Sequence, residues 1–263
     1  EISVVDTLNG DDDKMQVIPV NVEPTFVALG PKHVAVGMNI RIWLYRYGDR
    51  EEQSRQSRNP PLVEPERQFP GNISAIRLNA KYVAVLCEGR VHLSVIEPKR
   101  GTTEQDTKIF NVDGGGQITC MALTEDMLIY GFVSGGARGG GVKFFSLADW
   151  LPLEGIEHRH ETSITSIVPS PSGTRMIFID VSGRGWLYNP ADTSTLEIPN
   201  FKDERGLTSS GQPIKCALWD PVGDQDGKSR SLSGTQSQCF VTVEGGQFWT
   251  YVYSQLHFEG PTI

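Results

Sequence analysis

The run His158-Arg159-His160-Glu161 offers two imidazoles and a carboxylate, groups that can hold a metal or pass a proton. A zinc-hydrolase pair needs its histidines four residues apart on a helix with a glutamate between them, so that both rings reach one ion. Here they stand two apart, and the segment leads into the strand-like Ile164-Thr165-Ser166-Ile167. The expectation is structural, with His160 bonding backbone groups between neighbouring repeats. The run Gly135-Gly136-Ala137-Arg138-Gly139-Gly140-Gly141 invites a phosphate-loop reading. That chemistry aims backbone amides at the phosphate, usually from a helix N-terminus, and adds a Lys and a Ser or Thr. This run joins two strand patterns and no Gly-Lys-Ser/Thr follows, so it reads as a flexible hairpin tip.

The remaining candidates are weaker. Asn72-Ile73-Ser74 fits a glycosylation sequon, but it opens an apolar strand in a chain without a secretory signal. Asp11-Asp12-Asp13-Lys14 is an acidic turn for solvent. Cys87, Cys120, Cys216 and Cys239 form no C-x-x-C pair, and each lies in an apolar run. That is the pattern of reduced core thiols in an intracellular protein. No Ser-His-Asp or Cys-His set can be assembled from spacing, so no catalytic, cofactor-binding or metal-ligating residue is assigned.

The elements that would position such groups follow from composition and repeats. The chain has 263 residues, 38% hydrophobic and 21% charged, enough to bury a sizeable core. Its 28 glycines show no collagen-like period and point to many tight turns. A formal charge of −8 argues against broad contact with phosphate backbones, which needs Lys and Arg. Nothing approaches the roughly 18 apolar residues of a membrane-spanning helix. The opening Glu1-Ile2-Ser3-Val4-Val5 looks like the middle of a strand, so the chain is expected to start inside a longer protein.

Five strand pairs recur: His33 to Val36 with Arg41 to Tyr47; Tyr82 to Cys87 with Val91 to Ile96; Met127 to Phe132 with Val142 to Phe145; Arg175 to Asp180 with Gly185 to Tyr188; and Cys239 to Glu244 with Gln247 to Tyr253. Their starts lie roughly 45 to 50 residues apart, except the last, which carries an insertion. A further apolar strand precedes each: Thr25 to Leu29, Ile73 to Leu78, Ile118 to Leu123, Ile164 to Val168 and Ile214 to Trp219. A fourth strand follows each pair, clearest at Leu196-Glu197-Ile198. Four β-branched and aromatic strands per unit at this period are the signature of propeller blades. The fourth repeat resembles a WD40 unit. His160 precedes the inner strand, Ser170-Pro171-Ser172-Gly173 makes a turn, and Asp180 closes the second strand. Tyr188-Asn189 stands where the Trp-Asp pair is usual.

The reading is therefore all-β: a single WD40-like β-propeller over 1–263, a fragment of a larger multidomain protein. It has about five complete four-stranded blades, and the intact domain should have six or seven. Ile2 to Asp6 and Gln16 to Val20 look like the outer half of another blade. The long polar inserts are flexible loops at 48–66, 97–107 and 221–238 (Gly48 to Glu66, Glu97 to Thr107, Pro221 to Gln238). The first two join third to fourth strands and the last joins first to second, which places all three on one face and suggests a binding face.

A more specific resemblance runs along the chain. Phe26-Val27-Ala28-Leu29-Gly30-Pro31, His33-Val34-Ala35-Val36-Gly37-Met38-Asn39, Arg41 and Trp43 begin it. Ser74 to Asn79, Glu88-Gly89-Arg90-Val91-His92-Leu93, Ala122-Leu123-Thr124 and Leu128-Ile129-Tyr130-Gly131 continue it. Asp149-Trp150, Gly173-Thr174-Arg175, Phe178-Ile179-Asp180, Glu197-Ile198-Pro199, Phe201 and Tyr251-Val252-Tyr253 complete it. Together these resemble the second propeller of the WD-repeat protein nineteen family, a core subunit of intraflagellar transport complex A. The long loops at 48–66 and 221–238 depart from that pattern. The resemblance implies a non-enzymatic scaffold at the cytoplasmic side of the cilium, flagellum and basal body. Its partners would be other complex A subunits and membrane-protein cargo or its adaptors. Retrograde transport and ciliary entry of membrane proteins would be its work, with no cofactor and no catalytic residue. The alternative is a vesicle-coat-like propeller that binds cargo peptides or ubiquitin. A propeller hydrolase or lyase would instead gather titratable groups with perturbed pKa values around the channel.

Overall fold

The computed structural model describes residues 1–5, 16–47, 62–98, 107–135, 139–171, 173–198, 213–219, 236–243 and 248–254. They form antiparallel sheets whose strands follow one another in chain order. The first sheet pairs β1 (Ile2–Val4) with β2 (Gln16–Ile18). The second holds β3 (Phe26–Leu29), β4 (His33–Met38), β5 (Arg41–Arg46) and β6 (Leu62–Gln68). The third holds β7 (Ile73–Leu78), β8 (Tyr82–Cys87), β9 (Arg90–Val95) and β10 (Thr107–Phe110). The fourth holds β11 (Gln117–Leu123), β12 (Met127–Val133) and β13 (Gly140–Ser146), and its outer edge carries two short strands, β14 (Leu151–Pro152) and β15 (His158–His160). The fifth holds β16 (Ile164–Pro169), β17 (Met176–Asp180), β18 (Gly185–Asn189) and β19 (Ser194–Glu197). The sixth holds β20 (Ile214–Trp219), β21 (Gln236–Val243) and β22 (Phe248–Ser254). A single 3-10 turn, Asp113–Gly115, is the only helical element among the described residues.

Two expectations need correction. The loop drawn at 48–66 ends earlier, because Leu62 to Glu66 belong to β6; Thr107 likewise opens β10, and 236–238 open β21. The remainder of those loops lies outside the described residues. Four sheets have four or more described strands and the sixth has three, so a fourth strand there would fall outside them as well. The glycine-rich tip is shorter than drawn, since Gly140 and Gly141 lie inside β13.

The strands sit where local chemistry puts them. Cys87 and Arg90 close a two-residue hairpin whose central residues, Glu88 and Gly89, have φ of 48° and 70°. Positive φ at both centres matches the twist of the flanking strands. The central strands β8 and β17 are buried along their whole length. The first strands β7, β11, β16 and β20 share a register shift near their starts, at Ile73/Ala75, Ile118/Cys120, Ile164/Ser166 and Ile214/Cys216. One extra residue there turns a period of two into three and then two. That explains why Ile73, Ile76 and Leu78 share a buried face, as do Ile214, Ala217 and Trp219. In β6, Pro65 falls at a register irregularity on the outermost strand of its sheet.

The chain divides into two compact units, residues 1–111 and 112–263. In the first, Ala35, Ile42 and Leu44 of the second sheet pack on Ile73, Ile76, Leu78, Val83 and Val85 of the third. Ile18 of the first sheet packs on Val34 and Val36 of the second. In the second unit, Ile129, Val142 and Phe144 pack on Ile164, Met176, Phe178 and Tyr188, and Ile177, Ile179 and Leu187 pack on Ile214, Ala217 and Trp219. Apolar area removed from water between consecutive sheets is the main stabilising contribution, about 1.5–3 kcal/mol per buried Ile, Leu or Phe.

Candidate functional site

The histidine pair singled out in the sequence lies at the joint between the fourth and fifth sheets. β15 runs antiparallel to β13, setting His158 opposite Val142 and His160 opposite Gly140. Among the described residues His160 bonds a side chain rather than the backbone groups expected of it. Its Nε2 meets Oδ2 of Asp180 at 3.3 Å, so it ties the outer edge of one sheet to the second strand of the next.

Asp180 is the hub of this cluster. Its side chain is fully buried. Oδ1 accepts hydrogen bonds from the Ser182 backbone N–H (2.9 Å), the Arg184 N–H (3.0 Å) and the Ser182 hydroxyl. Oδ2 accepts from Trp186 Nε1 (3.4 Å) and lies 3.3 Å from Arg184 Nε. Burial pushes this carboxyl up; the bonds from Ser182, Arg184, His160 and Trp186 outweigh it and bring the pKa down to about 2. Around the hub the rings close up: His160 lies 5.1 Å from Trp186 and 5.4 Å from Phe178. The Arg184 guanidinium caps Trp186 at 5.3 Å.

His158 faces the apolar side of the same joint, 5.0 Å from Phe178 and 5.3 Å from Tyr188. Burial, then the neighbouring His160, lowers its pKa to about 4. Tyr188, which replaces the usual Trp-Asp, donates its hydroxyl to the Ile156 carbonyl at 2.7 Å and fastens the two sheets a second time. With both Asp180 oxygens engaged and His158 held neutral, the cluster is a joint: its charges bond to the fold and leave no oxygen free to take a proton from a substrate. Among the described residues no group of three or more His, Cys, Asp or Glu is placed to hold a metal ion.

The glycine run has a packing role next to this joint. A Cβ at Gly140 would stand 2.0 Å from the Phe132 carbonyl oxygen, and one at Gly141 would stand 2.2 Å from that of His158. β13 is gripped by β12 on one side and β15 on the other, and only glycine lets both backbones approach. Gly140→Ala should therefore cost about 3 kcal/mol by forcing a backbone shift, measurable as a lower thermal midpoint. An unchanged midpoint would mean that the strands have room the geometry does not show.

The second and third sheets are joined by residues that sequence reasoning missed. Arg67 on β6 donates to Ser94 Oγ (2.8 Å) and to the carbonyls of Val95 (3.0 Å) and Ile96 (3.0 Å). Its place in the supposed polar loop-to-strand transition hid that role. His33 Nε2 meets Glu97 Oε1 at 2.9 Å across the same joint. Phe69, edge-on to His92 at 5.5 Å, lines an open cleft with Arg67, Ser94 and Thr107 between the outer strands. Asn72 is exposed at the mouth of β7, and its N–H donates to Glu88 Oε1. Cys87 and Cys120 are buried as expected, while Cys216, expected in the core, is exposed. The acidic turn 11–14 and residues 136–138 lie outside the described residues.

The consecutive antiparallel sheets and the WD40-like placing of His160 and Asp180 agree with what known proteins show. The family model described as the WDR19 second beta-propeller matches residues 1–263. The chain belongs to this family. WD repeat-containing protein 19 of Homo sapiens is 32% identical over 266 residues, covering 100% of the chain. The Mus musculus protein of the same name is 33% identical over the same span. WD repeat-containing protein dyf-2 of Caenorhabditis elegans is 23% identical over 94% of the chain. The chain spans 17% of the length of each of these relatives.

Solved structures place the WDR19-family chain in the WD40 fold. The WD40 domain of Toxoplasma gondii coronin superposes with a TM-score of 0.54 at 12% identity, covering 90% of this chain and 57% of that one. The KlAtg21 chain crystallised with the coiled coil of AgAtg16 gives 0.53 at 13% identity, covering 93% and 68%. The sheets of this WDR19-family propeller are accordingly WD40 blades.

Proposed function

We propose that this WDR19-family propeller is a non-enzymatic docking platform of intraflagellar transport complex A. In this role it supports retrograde ciliary transport and the entry of membrane-protein cargo. The observation that carries the proposal is the family match across residues 1–263. The structure adds that the most perturbed groups, Asp180 and His158, are used inside a joint between sheets. Large apolar side chains meanwhile stand exposed on outer strands: Leu62 on β6, Ile109 on β10 and Leu151 on β14. An outer rim carrying such anchors suits protein partners. No helix among the described residues is long and apolar enough to cross a membrane.

The test is affinity capture of the whole protein from ciliated cells, beside a version with residues 48–61 shortened. Recovery of complex A subunits with the intact protein supports the platform; recovery lost on shortening assigns contact to that loop. Equal recovery from both returns the loop to solvent while keeping the platform. A capture without any ciliary subunit overturns the transport assignment.

A further inference from the structure

The cleft between the outer strands of the second and third sheets carries a row of side chains that the core does not cover. Across β8, β9 and β10, Val85, His92 and Ile109 stand opposite one another, and so do Val83, Ser94 and Thr107. Residues directly opposite in an antiparallel pair point to the same face. Val83 and Val85 are fully buried in the core shared with the second sheet, whereas Ile109 is 55% exposed. The two sheets therefore part towards their outer strands. They leave a cleft of about 440 Å³, with Arg67 and Phe69 on one wall and His92, Ser94 and Thr107 on the other.

The cleft changes character along its length. Alternate residues of β9 project to this face about 7 Å apart, in the order Arg90, His92, Ser94. At one end the Arg67 guanidinium bonds Ser94 Oγ and the carbonyls of Val95 and Ile96, which fixes a cation there. In the middle Phe69 stands edge-on to His92, with Ile109 opposite that histidine. His92 Nε2 is buried without a hydrogen-bond partner among the described residues. At the far end Arg90 is exposed. None of the described residues lining the cleft is acidic. The neighbouring carboxylates are engaged: Glu66 with Arg41, Glu88 with the Asn72 N–H and Glu97 with His33. The order is cation, apolar centre, cation, in a chain whose formal charge is −8.

We propose that this cleft binds an extended segment of a partner protein with the pattern acidic–x–aliphatic–x–acidic. The aliphatic side chain packs on Phe69 and Ile109 beside His92, and the two carboxylates lie against Arg67 and Arg90. Spacing and charge both favour this occupant. Alternate side chains of an extended peptide repeat at the same interval of about 7 Å as the β9 row, so one peptide matches all three positions. A phosphodiester chain or an anionic bilayer presents charge without the apolar anchor, and over a wider area it meets the net charge of −8. The site rests on the reading of this propeller as a docking platform, and gives that platform one contact of stated chemistry.

The experiment follows the fluorescence polarisation of a labelled peptide with the core Glu-Ser-Leu-Ser-Glu against the full-length protein. Saturable binding is expected, weakened at least about tenfold by Arg90→Glu and by serine in place of the peptide's leucine. Lys32→Glu, the same charge reversal at an exposed residue outside the cleft, should leave the affinity unchanged. A peptide with lysine in place of one glutamate or the other should bind the Arg90→Glu protein at least about threefold more tightly than the original peptide does, a gain that misfolding cannot produce. No saturable binding, binding indifferent to Arg90→Glu or to the leucine, or a lysine peptide that rescues nothing overturns the site. Phosphatidylserine vesicles that bind through Arg90 where the peptide does not would overturn it in favour of a membrane surface. The assay contains no complex A subunit. A silent peptide beside a successful capture of complex A therefore sinks this site alone, and a failed capture beside peptide binding sinks the transport assignment alone.

Discussion

Asp180→Ala is expected to destabilise the protein by about 3 to 5 kcal/mol, read from chemical denaturation. The substitution leaves the Ser182 and Arg184 N–H groups, Trp186 Nε1 and His160 facing a void where a buried carboxylate accepted from all of them. It also cuts the tie between the fourth and fifth sheets. The same residue sets an acid limit. Its folded pKa of about 2 lies below the usual 3.8, so the unfolded chain takes up the proton first. The stabilisation is complete above pH 3.8 and is lost as pH falls through the folded pKa, an increment of about 2 kcal/mol. Asp180→Asn, which keeps the shape, should abolish the drop in that window. A denaturation midpoint indifferent to both substitutions would show that the hub is not what holds the joint.

A second loss of stability is expected at milder acidity and comes from His158. Its folded pKa of about 4 lies below 6.5, because burial among Phe178 and Tyr188 opposes a charge and His160 adds repulsion. Above pH 6.5 both states are neutral and stability is whole. Between 6.5 and 4 the unfolded chain binds a proton that the folded one refuses, and about 3 kcal/mol is lost. His158→Phe keeps a flat ring against Phe178 and removes the titration, so its stability should stay level across that window. A slope equal to that of the unsubstituted protein would move the origin elsewhere.

The two expectations differ in how far the residues alone foretold them. Apolar β-branched runs and glycine turns marked the first three strands of each sheet, because burial on both faces writes itself as Val, Ile, Leu and aromatics. β6 was missed over its first half because Leu62-Val63-Glu64-Pro65-Glu66 has the polar, proline-broken look of a loop. Outer strands have one face and one edge in water and need no apolar period. β15 was missed for the same reason, since His158-Arg159-His160 carries no strand signal. The WD40-like order placed His160 and Asp180 in one repeat, yet their contact spans 20 residues and depends on how sheets stack. Spacing along the chain says nothing of that stacking. The Gly140-Gly141 pair was legible as glycine and illegible as packing, because the two strands that close on it come from either side of it in the chain.

Pro65 restricts how a partner can approach the rim at β6. Proline has no backbone N–H, and the register irregularity around it breaks the row of groups that a visiting strand would pair with. The row of donors that an intermolecular strand would pair with is therefore interrupted on the outermost strand of the second sheet. A protein that docks there must recognise side chains such as Leu62 and the Arg41–Glu66 ion pair, which makes the contact sequence-selective and blocks sheet-to-sheet aggregation at that edge.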